Sequence, residues 1–114
     1  MATLELPVRS DLPSYEFQID LEERIYTIRI QWNDRKERWV MNILTSEGVP
    51  VLMGITLLTN VGLIDQYLNI SSEMPPGRFF CIDETGAGKN PGINDLGNDV
   101  KLFYLTSDEV TIGL

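Results

Sequence analysis

Apolar and polar residues alternate with a period of two through the first half of the chain, the mark of strands that bury one face. Tyr15-Glu16-Phe17-Gln18-Ile19-Asp20-Leu21 alternates without a fault. Past Glu22-Glu23, read as a turn, the pattern resumes. Tyr26, Ile28, Ile30 and Trp32 fall on one face, and Thr27, Arg29 and Gln31 on the other. The polar stretch Asn33 to Arg38 reads as a second turn, and Trp39 to Leu44 follows it. Loops this short force neighbouring strands into hairpins, so this region predicts a three-stranded antiparallel meander.

Beyond Ser46-Glu47-Gly48, Val51 to Ile55 predicts a fourth strand, whose continuous apolar run suggests either burial on both faces or a bend at Gly54. Leu57 to Ile70 is apolar but poorly patterned. Leu63, Ile64, Tyr67 and Leu68 stand at helical spacing and allow one short helical turn. Pro75-Pro76-Gly77 breaks the chain, and Arg78 to Asp83 reads as a strand. Glu84 to Asn98 holds Gly86, Gly88, Gly92, Gly97 and Pro91 and is the least regular segment. Asp99 to Thr106 alternates again, with Val100, Leu102 and Tyr104 set against Lys101, Phe103 and Leu105. The expected fold class is all-β: a small antiparallel β-barrel or a two-sheet sandwich of about six or seven strands, with at most one short helix. Both architectures stay open. The expected organisation is one β domain over residues 15–106, with an N-terminal arm at 1–14 and a short C-terminal tail at 107–114.

A chain of 114 residues has room for one core and not for two. Seventeen acidic residues against nine basic ones give a net charge of −8, which repels phosphate and argues against general nucleic-acid binding. The sequence contains no histidine, so Ser-His-Asp and Cys-His catalysis and histidine metal sites are excluded. A single cysteine, Cys81, can form neither an internal disulfide nor a two-cysteine metal clip. Met1 to Pro7 lacks a basic region followed by an apolar stretch, so no signal peptide is expected. The longest uncharged run, Gly48 to Ile64, is interrupted by Pro50, Gly54, Asn60 and Gly62, and membrane insertion is not expected.

Three motifs invite sharper readings. Gly86-Ala87-Gly88-Lys89 looks like the end of a phosphate loop. Its first glycine position falls on Asp83 and its hydroxyl position on Asn90, and Pro91-Gly92 blocks the helix that such a loop requires. A calcium loop starting at Asp83 would place Ala87 fifth and Asn94 twelfth, without the bidentate carboxylate. A long strand connection accounts for both patterns, and such connections are often contact surfaces. Trp32 and Trp39 close the hairpin around Asn33–Arg38. They read either as core packing at strand ends or as a stacking platform for sugar or single-stranded nucleic acid, with Arg29, Arg35, Lys36 and Arg38 nearby. Cys81 lies in an apolar strand and reads as a buried hydrophobe. No spacing marks an acid–base pair, so catalysis is not expected and no cofactor is implied. The candidate partner-contact residues are Gly86, Gly88, Lys89, Asn90 and Pro91 of the loop and Leu57, Leu58 and Leu63 of the apolar segment. The loop and the terminal arms carry little reason to be ordered alone, so a partner is expected to order them.

The order of features carries a resemblance. An I-x-I-x-W strand at Ile28–Trp32 is followed by Trp39–Ile43, by P-V-L-M-G-I-x-L at Pro50–Leu57 and by G-L-I-x-Q-Y at Gly62–Tyr67. An F-x-I-D strand at Phe80–Asp83 and N-D-L-G at Asn94–Gly97 lead to V-x-L-x-Y-L-T at Val100–Thr106. Between Tyr15 and Thr106 the chain resembles the baseplate plug family of contractile-tailed bacteriophages, known from cyanophage baseplates and prophages. The resemblance implies a structural protein of the virion, seated in the tail baseplate and assembled in the host bacterial cytoplasm. Its implied partners are hub, spike, tube or wedge proteins, with multiple copies per particle allowed. It implies no catalytic, cofactor-binding or metal-binding residue.

Overall fold

The computed structural model describes residues 3–64, 75 and 77–106. Seven strands run through them in chain order: β1 (Thr3–Glu5), β2 (Ser14–Asp20), β3 (Ile25–Asn33), β4 (Arg38–Thr45), β5 (Pro50–Thr56), β6 (Arg78–Asp83) and β7 (Val100–Leu105). They form two antiparallel sheets, a three-stranded one in the order β1-β7-β6 and a four-stranded one in the order β2-β3-β4-β5. The sheets do not close into a barrel. They share one apolar cluster, to which Tyr26, Ile28, Ile30, Met41 and Ile43 come from the larger sheet and Phe79, Cys81, Leu102 and Tyr104 from the smaller. The all-β class therefore holds, as a sandwich.

The meander sits where the alternation puts it. In β2, exposed Glu16, Gln18 and Asp20 alternate with half-buried Tyr15, Phe17 and Ile19. The register aligns Phe17 with Ile28 and Ile28 with Ile43, and it places Trp32 opposite Trp39. The β2–β3 turn has positive φ at both Glu22 (57°) and Glu23 (74°), the signature of a type I′ turn, whose twist matches that of its strands. Asp20 Oδ1 accepts the Glu23 N–H at 2.8 Å and helps to hold this costly backbone.

Of the two readings of β5, the bend at Gly54 is the one found, and the strand is not buried on both faces. Two residues of β5 there oppose the single Asn42 of β4, and the buried Asn42 side chain fills the bulge by accepting the Gly54 N–H at 2.7 Å. Two crossings then stitch the sheets together. On one side Leu57 N–H donates to Trp39 O, while Asn60 N–H and Leu63 N–H donate to Cys81 O and Phe79 O of the other sheet. On the opposite side the amino-terminal segment runs from Leu6, whose N–H donates to Leu102 O, to Pro13, whose carbonyl accepts Trp32 N–H.

The segment read from sequence as an arm, residues 1–14, thus contributes strand β1 and fully buried Leu6. A three-residue strand is too short for alternation to announce it. Val8 and Arg9 pass so close over Gly97 that a Cβ there would meet Val8 O at 2.5 Å, and Gly97 also has φ of +84°. Only glycine fits that crossing without strain. The helical turn expected around Tyr67 and Leu68 lies outside the described residues, as does the tail 107–114.

Candidate functional site

The glycine-rich connection is held by the chain's own atoms. The Asp83 carboxylate, buried at the end of β6, accepts the Thr85 hydroxyl at 2.6 Å and the N–H groups of Thr85 and Lys89 at 2.9 and 3.1 Å. The Thr85 hydroxyl bond, followed by those N–H groups and the Lys89 charge, keeps the Asp83 carboxyl below its usual range. Lys89 Nζ donates to Asp99 at 2.9 Å and lies 3.6 Å from Asp95. The Asp99 bond and then these neighbouring carboxylates raise its pKa. The carboxylate that a calcium loop would present is therefore occupied by internal donors. The loop expected to need a partner for its order is held by hydrogen bonds within the chain.

Thr59 joins the two candidate segments. Its hydroxyl donates to Lys89 O at 2.6 Å, and its N–H donates to Asn90 Oδ1 at 2.9 Å. It also bridges to Cys81 of β6. Leu57 and Leu63 are buried core residues, and Pro91 is buried as well. Gly86, Gly88, Lys89 and Asn90 are exposed, and Leu58 is half-buried. Leu58 and Leu63 line a hollow of about 420 Å³ with Gly54, Val61 and Gly62, and Val61 stands 45% exposed on its rim. The eight sequence candidates thus divide into an exposed polar ridge and its apolar support.

The tryptophan pair also divides. Trp39 is a core residue, 1% exposed, whose indole N–H donates to Gly92 O at 2.8 Å. Trp32 is half-buried, rests edge-on against Trp39 with ring centroids 5.3 Å apart, and donates its indole N–H to Asp34 at 2.7 Å. The packing reading thus covers all of Trp39 and half of Trp32.

The two outer faces of the sandwich differ in chemistry. The larger sheet turns outward a cross-strand polar layer: Arg29 with Glu16 at 3.2 Å, Gln18 donating to Thr27 at 3.3 Å, and Asn42 donating to Gln31 at 3.2 Å. Its polar groups satisfy one another. The smaller sheet turns outward Phe80 and Phe103, stacked with centroids 5.8 Å apart, together with Ile82 and Leu105. Ile82 is 38% exposed. Lys101 and Glu5 pair beside the rings at 3.8 Å. Sequence reasoning passed over this strip, although Phe79-Phe80 and Leu102 to Leu105 are apolar on both faces, a pattern that marks a strand with two apolar sides.

Cys81 is fully buried, and desolvation pushes its thiol up to about 12, so it remains a protonated, unreactive hydrophobe. Among the described residues no group of three or more His, Cys, Asp or Glu is placed to hold a metal ion. Among the described residues the outer face of the larger sheet is polar and that of the smaller sheet is apolar.

A family model described as cyanophage baseplate Pam3 plug gp18 matches residues 3–108 of this chain. The match takes in β1 and so extends past the Tyr15–Thr106 region on which the sequence resemblance rests. No curated protein matches the chain.

Proposed function

The chain belongs to the cyanophage baseplate plug family, and we propose that it acts as a non-catalytic brace packed against the central hub, spike or tube proteins. Family membership implies a structural role in the tail baseplate and contact with other baseplate proteins. The finer reading rests on one observation, the apolar outer strip of Phe80, Ile82, Phe103 and Leu105. Stacked aromatic rings on a sheet face gain free energy when a neighbour covers them, at roughly 25 cal/mol per Å² of apolar area removed from water. The exposed ridge of Gly86, Gly88, Lys89 and Asn90, with Leu58 beside it, supplies a second contact, shaped from beneath by Leu57, Leu63 and Pro91. Assembly in the host bacterial cytoplasm, without turnover of any substrate, follows from this reading.

The test is co-expression with candidate hub, spike and tube proteins, followed by size measurement. The expected result is co-elution with at least one of them, lost when Phe80→Asp and Phe103→Asp are combined in a chain that still melts cooperatively. A chain that stays monomeric beside every central tail protein would overturn the proposal, as would co-elution that the double variant leaves intact.

A further inference from the structure

We infer that the surface around Trp32 is a preformed binding site for a neutral saccharide, distinct from the assembly surfaces proposed above. Three aromatic residues build it, and each uses its polar atom to fix one part. Tyr15 Oη accepts Arg9 N–H at 2.7 Å and donates to Arg9 O at 2.8 Å, anchoring the segment that carries Ser10 and Asp11. Trp39 donates to Gly92 O and anchors the facing wall at Ile93 and Asn94. Asn98 Nδ2 ties the two walls together by donating to both Ser10 Oγ and Asn94 O. Between the walls lies a hollow of about 200 Å³. Trp32 is held by Trp39 and Asp34, and with Pro13 it lines this hollow and a second one of about 550 Å³. An indole fixed between two hollows is a stacking surface set before any ligand arrives, and preorganisation of that kind lowers the cost of binding.

The lining selects the class of ligand. Beside the indole the hollows present Ser14, Gln31, Asn33, Asp34 and Asn94. Gln31, Asn33 and Asp34 each give one side-chain oxygen to an internal donor, from Asn42, the Lys36 N–H and Trp32. The Asn94 side chain makes no hydrogen bond to other described residues. Hydroxyl, amide and carboxylate groups around one aromatic face suit a ring with polar edges and an apolar C–H face. Charge excludes the other stacking ligand, a nucleic-acid base on its phosphate chain. Asp11 is neutralised by Arg9 through bonds of 2.6 and 2.7 Å, whereas Asp34 contributes net negative charge. None of the cations of the adjoining turn, Arg35, Lys36 and Arg38, lines either hollow. Ile93, 51% exposed, and Pro13 add apolar surface to the lining of the smaller hollow.

Trp32 is the indole near solvent, so tryptophan emission reads the site directly. The full chain is titrated with glucose, galactose, N-acetylglucosamine and their disaccharides, with an oligothymidylate and a proline-rich peptide as comparison probes. The expected result is a saturable emission change with at least one neutral sugar and none with the oligonucleotide or the peptide. Trp32→Leu, folded by circular dichroism, weakens that binding at least tenfold. Asn94→Ala, which removes a side chain that makes no hydrogen bond to other described residues, weakens it severalfold and decides the matter should Trp32→Leu not fold. Phe80→Asp, on the far face, leaves it unchanged. The inference is overturned if no sugar in the panel binds, if the peptide or the oligonucleotide binds instead, or if affinity survives in Asn94→Ala and in folded Trp32→Leu.

Discussion

Removing the phenolic oxygen of Tyr104 should cost this chain more than any other single-atom change in its core. Tyr104 is fully buried in β7, and its hydroxyl joins three elements. It donates to Glu22 Oε2 in the β2–β3 turn at 2.6 Å and accepts the N–H of buried Gly77, just ahead of β6, at 2.7 Å. In Tyr104→Phe the Gly77 N–H is left unsatisfied, which costs about 1–3 kcal/mol, and a hydrogen bond to a charged group worth about 1.5–3 kcal/mol is lost. Glu22 is half-buried, so water restores part of the second loss, and the net comes to about 3 kcal/mol. For 114 residues the unfolding entropy is roughly 240 cal/mol/K, so Tm should fall by roughly 12 °C in a thermal melt. The pH profile gives an independent reading. Burial, and then the Glu22 bond, raise the Tyr104 pKa above the ordinary phenol value of 10.0. A proton bound more tightly in the folded chain leaves stability complete below about pH 10 and removes it as the pH rises further. Tyr104→Phe should therefore flatten the alkaline limb, leaving the shares that come from half-buried Tyr15 and from buried Cys81. A Tm loss under 3 °C together with an unchanged alkaline limb would refute the three-way junction.

Gly97→Ala should destabilise the fold by roughly 3 kcal/mol or more in urea, because it combines positive-φ strain with a clash against Val8 O. Equal stability would mean that the amino-terminal crossing is not seated there. Glu23→Gly should stabilise by about 1 kcal/mol, since the second central residue of a type I′ turn favours glycine; a loss of stability would argue against that turn. Cys81 should resist a thiol reagent at pH 8 in the native chain and react at once in denaturant. Its contribution to stability should be complete below about pH 9 and fade toward pH 12, and rapid native labelling would contradict its burial.

Legibility in the sequence followed the length and one-sidedness of each element. The meander of β2, β3 and β4 was readable because seven residues alternate in each of the first two strands and the turns between the strands are polar. β1 was invisible for the opposite reason, since three residues carry no period and its pairing partner lies a hundred positions away at Leu105. The two tryptophans look equivalent in sequence. Only the tertiary contacts, in which Trp39 enters the core and donates to Gly92 O, separate it from the half-exposed Trp32. The candidate ridge at Lys89 and Asn90 was legible as a loop, yet nothing local could reveal that Thr59, thirty residues earlier, would fasten it.

That fastening bears on how such a protein would assemble. Tyr15 Oη, Trp39 Nε1 and Tyr104 Oη each reach out of the packed sheets to bind backbone of an irregular segment, and Asp83 and Thr59 do the same for the glycine-rich loop. Buried aromatic groups need such partners in any case, so satisfying them and fixing the loops is one event. The long connection is consequently shaped before any neighbour arrives. Docking then requires little ordering of backbone, and the entropy that a flexible loop would lose is already lost on folding. In the assembly proposed above, the described loops, already tied to the core, would need little rearrangement on docking, and the apolar strip of β6 and β7 would supply the driving force.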